Sequence, residues 1–285
     1  MLGRSRQSYY KHCHSLATKK DVSATVISYV ENLRMEMPRI GGRKLYYLLD
    51  EKLKSLNVGR DKFFRILKAN NKLIVPRRNY NVTTNSHHRF HKYKDIMNRL
   101  DINHPEQVWV SDITYIGSRK NNCYLALVTD AYSKKIEGYD LSSSLSVDGS
   151  VRALKKAIKN RIYNTKLIHH SDRGIQYCSN EYQKILKRRG IKVSMTESYD
   201  PYSNAIAERV NGILKQEFLL EEYNCDIKDL KKIVEQSIEI YNNKRPHISC
   251  GMLTPNKMHM QNKIRKPSYS KKNQYKLKLT SVCTD

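Results

Sequence analysis

Apolar and polar positions alternate in two different rhythms along this chain. Over the first seventy residues the rhythm is helical. Val22, Val26, Ile27, Val30 and Leu33 recur at three- and four-residue steps and stop before Pro38, which predicts a helix over Val22–Met35. "GGRKLYYLLDEKL" places Leu45, Leu48 and Leu49 on one stripe, and after a break at Ser55–Gly59 "RDKFFRILKANN" turns Phe63, Ile66 and Leu67 inward. From Gln107 the rhythm changes to period two and short apolar runs. "VWVSDITYI", "CYLALVTD" and "KIEGYDL" read as three strands, "VDGSVRALKKAIKNRI" as an amphipathic helix, "KLIHHSD" as a fourth strand, "NEYQKILKRRG" as a helix closed by Gly190, and "IKVSMT" as a fifth strand. A long helix follows from Asn204. The order βββαβαβα predicts an α/β fold, a mixed sheet with helices on its faces.

Between the two rhythms, residues 73–105 lack periodicity and are rich in Asn, Thr, His and Arg. The expected organisation is therefore a helical domain at 1–72, a basic linker at 73–105, an α/β core at 106–222, a further helical segment at 223–260 and a basic tail at 261–285. His87, His88 and His91 lie in the linker without a partner at metal-ligand spacing and read as solvated. Two short helices around a tight break, with Arg60 and Arg65 on the outer face of the second, fit a helix-turn-helix or an ordinary small bundle.

Charge narrows the choice of partner. The chain has 53 Lys+Arg against 27 Asp+Glu, a net +26, which points to a polyanion such as nucleic acid. Residues 1–100 hold 22 basic and 7 acidic side chains, whereas 101–260 hold 24 and 19, so the excess sits largely outside the α/β core. No run of about 18 apolar residues is present to span a membrane. The first residues carry no apolar signal core, and six cysteines without a C-x-x-C pair fit reduced thiols in a cytoplasm.

Three carboxylates stand out against this basic background. Asp112 lies within the first strand on the face of Val108, Val110 and Ile116, Asp172 ends the fourth strand, and Glu208 lies on the last helix. A strand aspartate on an apolar face needs a partner or a metal. On that helix Ile206, Val210, Ile213 and Leu214 form the expected core stripe, and Glu208, Asn211 and Lys215 project together on the other side. Oxygen ligands converging from two strands and a helix suit hard divalent cations; a solvated surface triad is the alternative. Among their neighbours, His170 and Arg173 are candidates to reach DNA or to orient Asp172, and Asn211, Arg245 and His247 are further DNA-contact candidates. Asp130 reads as a turn cap and Trp109 as core, while Thr254 and Pro255 read as a helix start.

"SDITYI" around Asp112, "HHSDRGIQY" around Asp172 and "NAIAERVNGILKQE" around Glu208 resemble the DDE motif of retroviral-integrase-like transposases, with 35 residues between the second and third acids as in that family's pattern. "RQSYYK", "IGGRKLYYLLDE" and "YNNKRPHISCGMLTPNKMH" resemble segments of the OrfB subunit in the IS-three group of bacterial insertion sequences. The resemblance spans residues from about 5 to 260. It implies an RNase-H-like integrase core behind a helix-turn-helix domain. It also implies Asp112, Asp172 and Glu208 as ligands of two Mg²⁺ ions, with Mn²⁺ able to substitute, and Lys215 at a phosphate near the cut. The implied function is transposition: binding of the element's terminal repeats, metal-dependent strand cleavage, and transfer into target DNA. The implied partners are DNA, an upstream-frame OrfA product or fusion, and further copies of the chain on DNA, all in a bacterial cytoplasm at the nucleoid. The competing readings are a DNA-binding protein without catalysis and an RNase-H-like nuclease that hydrolyses without joining.

Overall fold

In the computed structural model, residues 5–75, 91–97, 100–117, 123–196 and 204–261 are described. The chain divides into two compact units, Met1–Arg78 and Asn79–Asp285. Most of the basic linker, including His87 and His88, and the tail beyond 261 lie outside the described residues.

The first unit is helical: α1 (Arg6–Glu36), α2 (Gly42–Leu48), α3 (Asp50–Ser55) and α4 (Arg60–Ala69). Helix α1 begins well ahead of the predicted Val22, with Ser5 as N-cap accepting from the Ser8 amide. Only its second half supplies core residues, Val26 and Val30, so apolar spacing reported the packed half alone. The "GGRKLYYLLDEKL" segment forms two helices rather than one, because Leu49 leaves helical geometry and ends α2. Asn57 takes a left-handed φ of 51° in the turn before α4. Phe63 and Leu67 are buried with Leu45, Leu49 and Leu53, while Arg60, Arg65 and Lys68 stay exposed.

The second unit holds a five-stranded sheet in the order β3-β2-β1-β4-β5. Its strands are β1 (Val108–Ile116), β2 (Cys123–Asp130), β3 (Ile136–Ser142), β4 (Ile168–Ser171) and β5 (Lys192–Met195). The first three are antiparallel neighbours; β4 and β5 run parallel to β1. Helices α5 (Val147–Asn160), α6 (Ile175–Cys178), α7 (Asn180–Arg188), α8 (Ala205–Gln216), α9 (Ile227–Asn243) and α10 (Pro255–His259) complete the unit. This is the RNase-H-like arrangement expected from the element order. The one-turn helix α6 has no counterpart in the apolar pattern, being too short to show a period.

Period-two alternation in β1 separates two cores. Trp109 packs with Val151, Leu154, Tyr182 and Met195 on the side of α5 and α7. Val108 and Val110 pack on the other side, against Ala207 and Ile206 of α8. Asp112 belongs to this second face. On the first side α5 approaches β3 very closely: a Cβ at Gly138 would stand 2.1 Å from the Ala153 carbonyl oxygen and 2.6 Å from the Ala157 nitrogen. No helix among the described residues is long and apolar enough to cross a membrane.

Candidate active site

Asp112 sits in the middle of β1, opposite Leu127 of β2. Its Oδ1 accepts from the Ile113 amide at 2.9 Å and its Oδ2 from the Asn211 side-chain amide at 2.8 Å. Asp172 follows β4 directly, where the parallel register sets Ser171 beside Ser111, and its Oδ1 accepts from the Gly174 amide at 3.0 Å. Glu208 lies in the first turn of α8 and is exposed. The sheet register and the packing of α8 on β1 thus direct three distant carboxylates to one end of the sheet. Burial first, and then the charge of Asp172, with a smaller contribution from Glu208, pushes the Asp112 carboxyl up to about 7. The groups that pull it down, the Ile113 and Asn211 amides, are neutral. The three acids do not bring their ligand oxygens all within 4.8 Å of one another.

Behind the carboxylates a neutral polar network supports the sheet. His169 Nε2 stands 2.8 Å from both Ser111 Oγ and Tyr182 Oη. Burial, with His170 beside it, holds His169 down at about 3, so it is uncharged at physiological pH. Apolar patterning gave no sign of this network, because Ser111 and Tyr182 come together only through tertiary packing.

The candidate DNA contacts divide by exposure. Arg60 and Arg65 project from α4 into solvent, Arg60 beside Asp61 at 3.0 Å. Lys215 is half-buried and lies 3.6 Å from Glu221, and Arg173 is half-buried beside Asp172 in sequence. His170 is fully buried, with Nδ1 2.9 Å from Ser194 Oγ of β5, so its ring packs within the sheet and offers no surface to DNA. Asn211 is likewise buried, at 4% exposure, on the packed face of α8. The expected stripe omitted Ala207, which in helical projection lies between Leu214 and Asn211 and widens that face. Arg245, at 1% exposure, makes a two-pronged ion pair with Glu217 at 2.9 and 2.8 Å and serves packing. His247 is also buried, with Ser249 at 2.9 Å. Asp130 does cap its turn, accepting from the Ser133 amide and hydroxyl, and Thr254 caps α10.

Comparison with known proteins places this arrangement in a class. Two models described as "Integrase core domain" match residues 102–201 and 189–255. The catalytic core of HTLV-2 integrase, solved in complex with magnesium, covers 55% of this chain and 97% of its own at 21% identity and a TM-score of 0.44. The unit around Asp112, Asp172 and Glu208 is an integrase core domain.

Longer relatives are bacterial. The insertion element IS600 31 kDa protein of Shigella sonnei is 32% identical over 261 residues, covering 90% of this chain and 94% of that protein. Transposase InsF for insertion sequence IS3fB of Escherichia coli strain K12 is 35% identical over 159 residues, 55% of each chain. The chain belongs to the DDE transposases of the IS3 group of insertion sequences.

Proposed function

We propose that the chain is the catalytic subunit of an insertion-sequence transposase, with Asp112, Asp172 and Glu208 as the ligands of two Mg²⁺ ions. One observation carries the assignment: the Asp112 carboxylate, oriented by the Ile113 and Asn211 amides, lies close enough to Asp172 and Glu208 for both acids to raise its pKa. Three acids offering oxygen donors fit hard divalent cations. When bound, the two ions supply the positive charge that activates the attacking oxygen and stabilises the leaving oxygen.

The chain's own groups position and orient. Asn211 fixes Asp112 through Oδ2 and Gly174 fixes Asp172 through Oδ1. Lys215 and Arg173 bind phosphate oxygens of the DNA. Water attacks the phosphodiester at the element's end and releases a 3′-OH; that hydroxyl then attacks a target phosphodiester and expels a new 3′-OH. Both displacements exchange one phosphorus–oxygen bond for another, so no serine or cysteine nucleophile is required. Arg60 and Arg65 on α4 bind DNA. Further copies of the chain, and the product of an upstream frame, assemble with it on DNA in the cytoplasm.

The test compares Glu208→Gln, Asp112→Asn and Asp172→Asn with the parent chain on DNA carrying the element's ends. Folding and DNA binding stay intact, because Glu208 is exposed and lies off the packed face. Mg²⁺-dependent cleavage and joining fall by several orders of magnitude, and double changes are barely worse than single ones. Near-normal cleavage by Glu208→Gln overturns the assignment. Cleavage without joining in the parent chain would identify a nuclease instead.

A further inference from the structure

Away from the acidic triad, three buried metal-ligating side chains meet where the chain enters β1, at the start of β3, and in α10. Glu106 and His259 are fully buried and Glu137 is 1% exposed. One ligand atom from each lies within 4.8 Å of the other two. His259 Nε2 is 3.4 Å from Glu106 Oε1 and 3.3 Å from Glu137 Oε1. Neither His259 Nε2 nor Glu137 Oε1 makes a hydrogen bond, an unfavourable state for atoms sealed from water.

The remaining atoms of each group are held in place. Glu106 Oε1 accepts from the Ile162 amide at 2.8 Å, and Oε2 from the Tyr163 amide at 2.9 Å and from Arg161 at 3.3 Å. Glu137 Oε2 accepts from Lys135 at 2.9 Å. The Ser133 hydroxyl donates to Asp130 Oδ1, so its oxygen, 3.0 Å from His259 Nδ1, accepts the proton carried there. Nδ1 is thus committed to Ser133, and Nε2 faces two carboxylate oxygens. Glu106 also takes a φ of 55°, a left-handed backbone that a buried glutamate adopts only where its surroundings dictate it. Outer partners of this kind are what orient metal ligands.

Something positive belongs between the three atoms. A second proton on the ring supplies that charge in the metal-free chain, but an imidazolium usually closes to about 2.7–2.9 Å on a carboxylate. Here the nitrogen is nearly equidistant from two oxygens and hydrogen-bonded to neither. Bonds of about 2.0–2.1 Å to a tetrahedral zinc set neighbouring donor atoms about 3.3–3.4 Å apart, which is the spacing of both nitrogen–oxygen pairs. An imidazole with two carboxylates suits zinc better than magnesium or calcium.

We infer that Glu106, Glu137 and His259 form a second metal site, a zinc site with three protein ligands that ties the entry to β1, the start of β3 and helix α10 together. It shares no residue with the Asp112, Asp172 and Glu208 triad. In the metal-free chain burial lowers the His259 pKa, but the Asp130, Glu106 and Glu137 carboxylates outweigh it and hold the ring up at about 9. Zinc must displace that proton near neutral pH.

The experiment uses the full chain, stripped with a chelator and titrated with Zn²⁺ or Co²⁺ in excess Mg²⁺, which keeps the acidic triad occupied. One equivalent of Zn²⁺ binds with release of a proton and raises the melting temperature. Co²⁺ at the same site gives the intense visible bands of tetrahedral coordination. Asp112→Asn retains this binding, and His259→Gln and Glu137→Gln weaken it at least about 100-fold. Weak octahedral cobalt bands alone, no zinc bound in the presence of Mg²⁺, or unchanged affinity in a folded His259→Gln chain overturns the site. The cobalt spectrum is read on the unaltered chain, so misfolding of a variant does not block the test. Failure of this site leaves the transposase assignment untouched, and loss of strand transfer in the triad variants leaves the zinc measurement untouched.

Discussion

Asn211 of α8 donates its side-chain amide to Asp112 of β1 at 2.8 Å, joining the helix that carries Glu208 to the strand that carries the first acid. The bond fixes the orientation of the Asp112 carboxylate. Asn211→Leu fills the same buried position without a donor. Cleavage should fall by about 10- to 100-fold, as for other partners that orient metal ligands. The loss should be largest at low Mg²⁺ and partly recovered at high Mg²⁺. A loss independent of Mg²⁺ concentration would show that Asn211 acts on packing alone.

Asp112 also couples stability to pH. Its carboxyl titrates near 4 in the unfolded chain and is pushed up to about 7 in the folded one by burial and by Asp172 and Glu208. The folded state therefore holds the proton more tightly. In chelator, this group's favourable contribution is complete below about pH 4 and is lost as pH rises through about 7. Melting curves at pH 5.5 and 7.5 should show the decline, with Mg²⁺ opposing it at the higher pH. Asp112→Asn should flatten this part of the profile; an unchanged profile would remove Asp112 as its source.

The predicted elements follow the apolar pattern wherever a segment was long enough to show its period. The five strands and the helices α5, α7 and α8 were legible in the sequence, as were the positions of the three acids. The start of α1 was not, because its first half buries nothing and an exposed helix leaves no apolar stripe. Nor was α6, which has one turn. At the site, residue type suggested His170, Asn211 and Arg245 as DNA contacts, yet all three are buried. Polar residues that satisfy one another inside a fold look, in one dimension, like residues waiting for a ligand. Glu106, Glu137 and His259 were overlooked for the related reason that 31 and 122 residues separate them along the chain.

Arg245 illustrates the distinction. Its guanidinium grips Glu217 through two bonds while 1% exposed, so removing it takes both of these bonds from the carboxylate. Arg245→Met should destabilise the fold by about 3–5 kcal/mol, and pairing it with Glu217→Leu should restore much of that loss. Thermal or urea unfolding of the four chains of the cycle measures the coupling. Weakened DNA binding with unchanged stability would return Arg245 to the DNA surface.

Affinity for DNA should reside in the exposed cations of α4 instead. Arg60→Gln and Arg65→Gln should each lower the slope of log affinity against log salt by about 0.9 if each arginine meets one phosphate. Binding measured by fluorescence anisotropy over a salt series checks this. Slopes that match the parent chain would place the DNA surface elsewhere.

The closeness of α5 to β3 at Gly138 has a consequence for how such chains diverge. A methyl group there would overlap the helix backbone itself, which cannot rotate aside as a side chain can. Residue 138 is therefore a spacer whose smallness sets the separation of α5 from β3. Replacing it would lift the whole helix and reopen the layer containing Trp109 and Leu154. Strand and helix can exchange most of their apolar residues over time, but only in pairs that keep this gap closed.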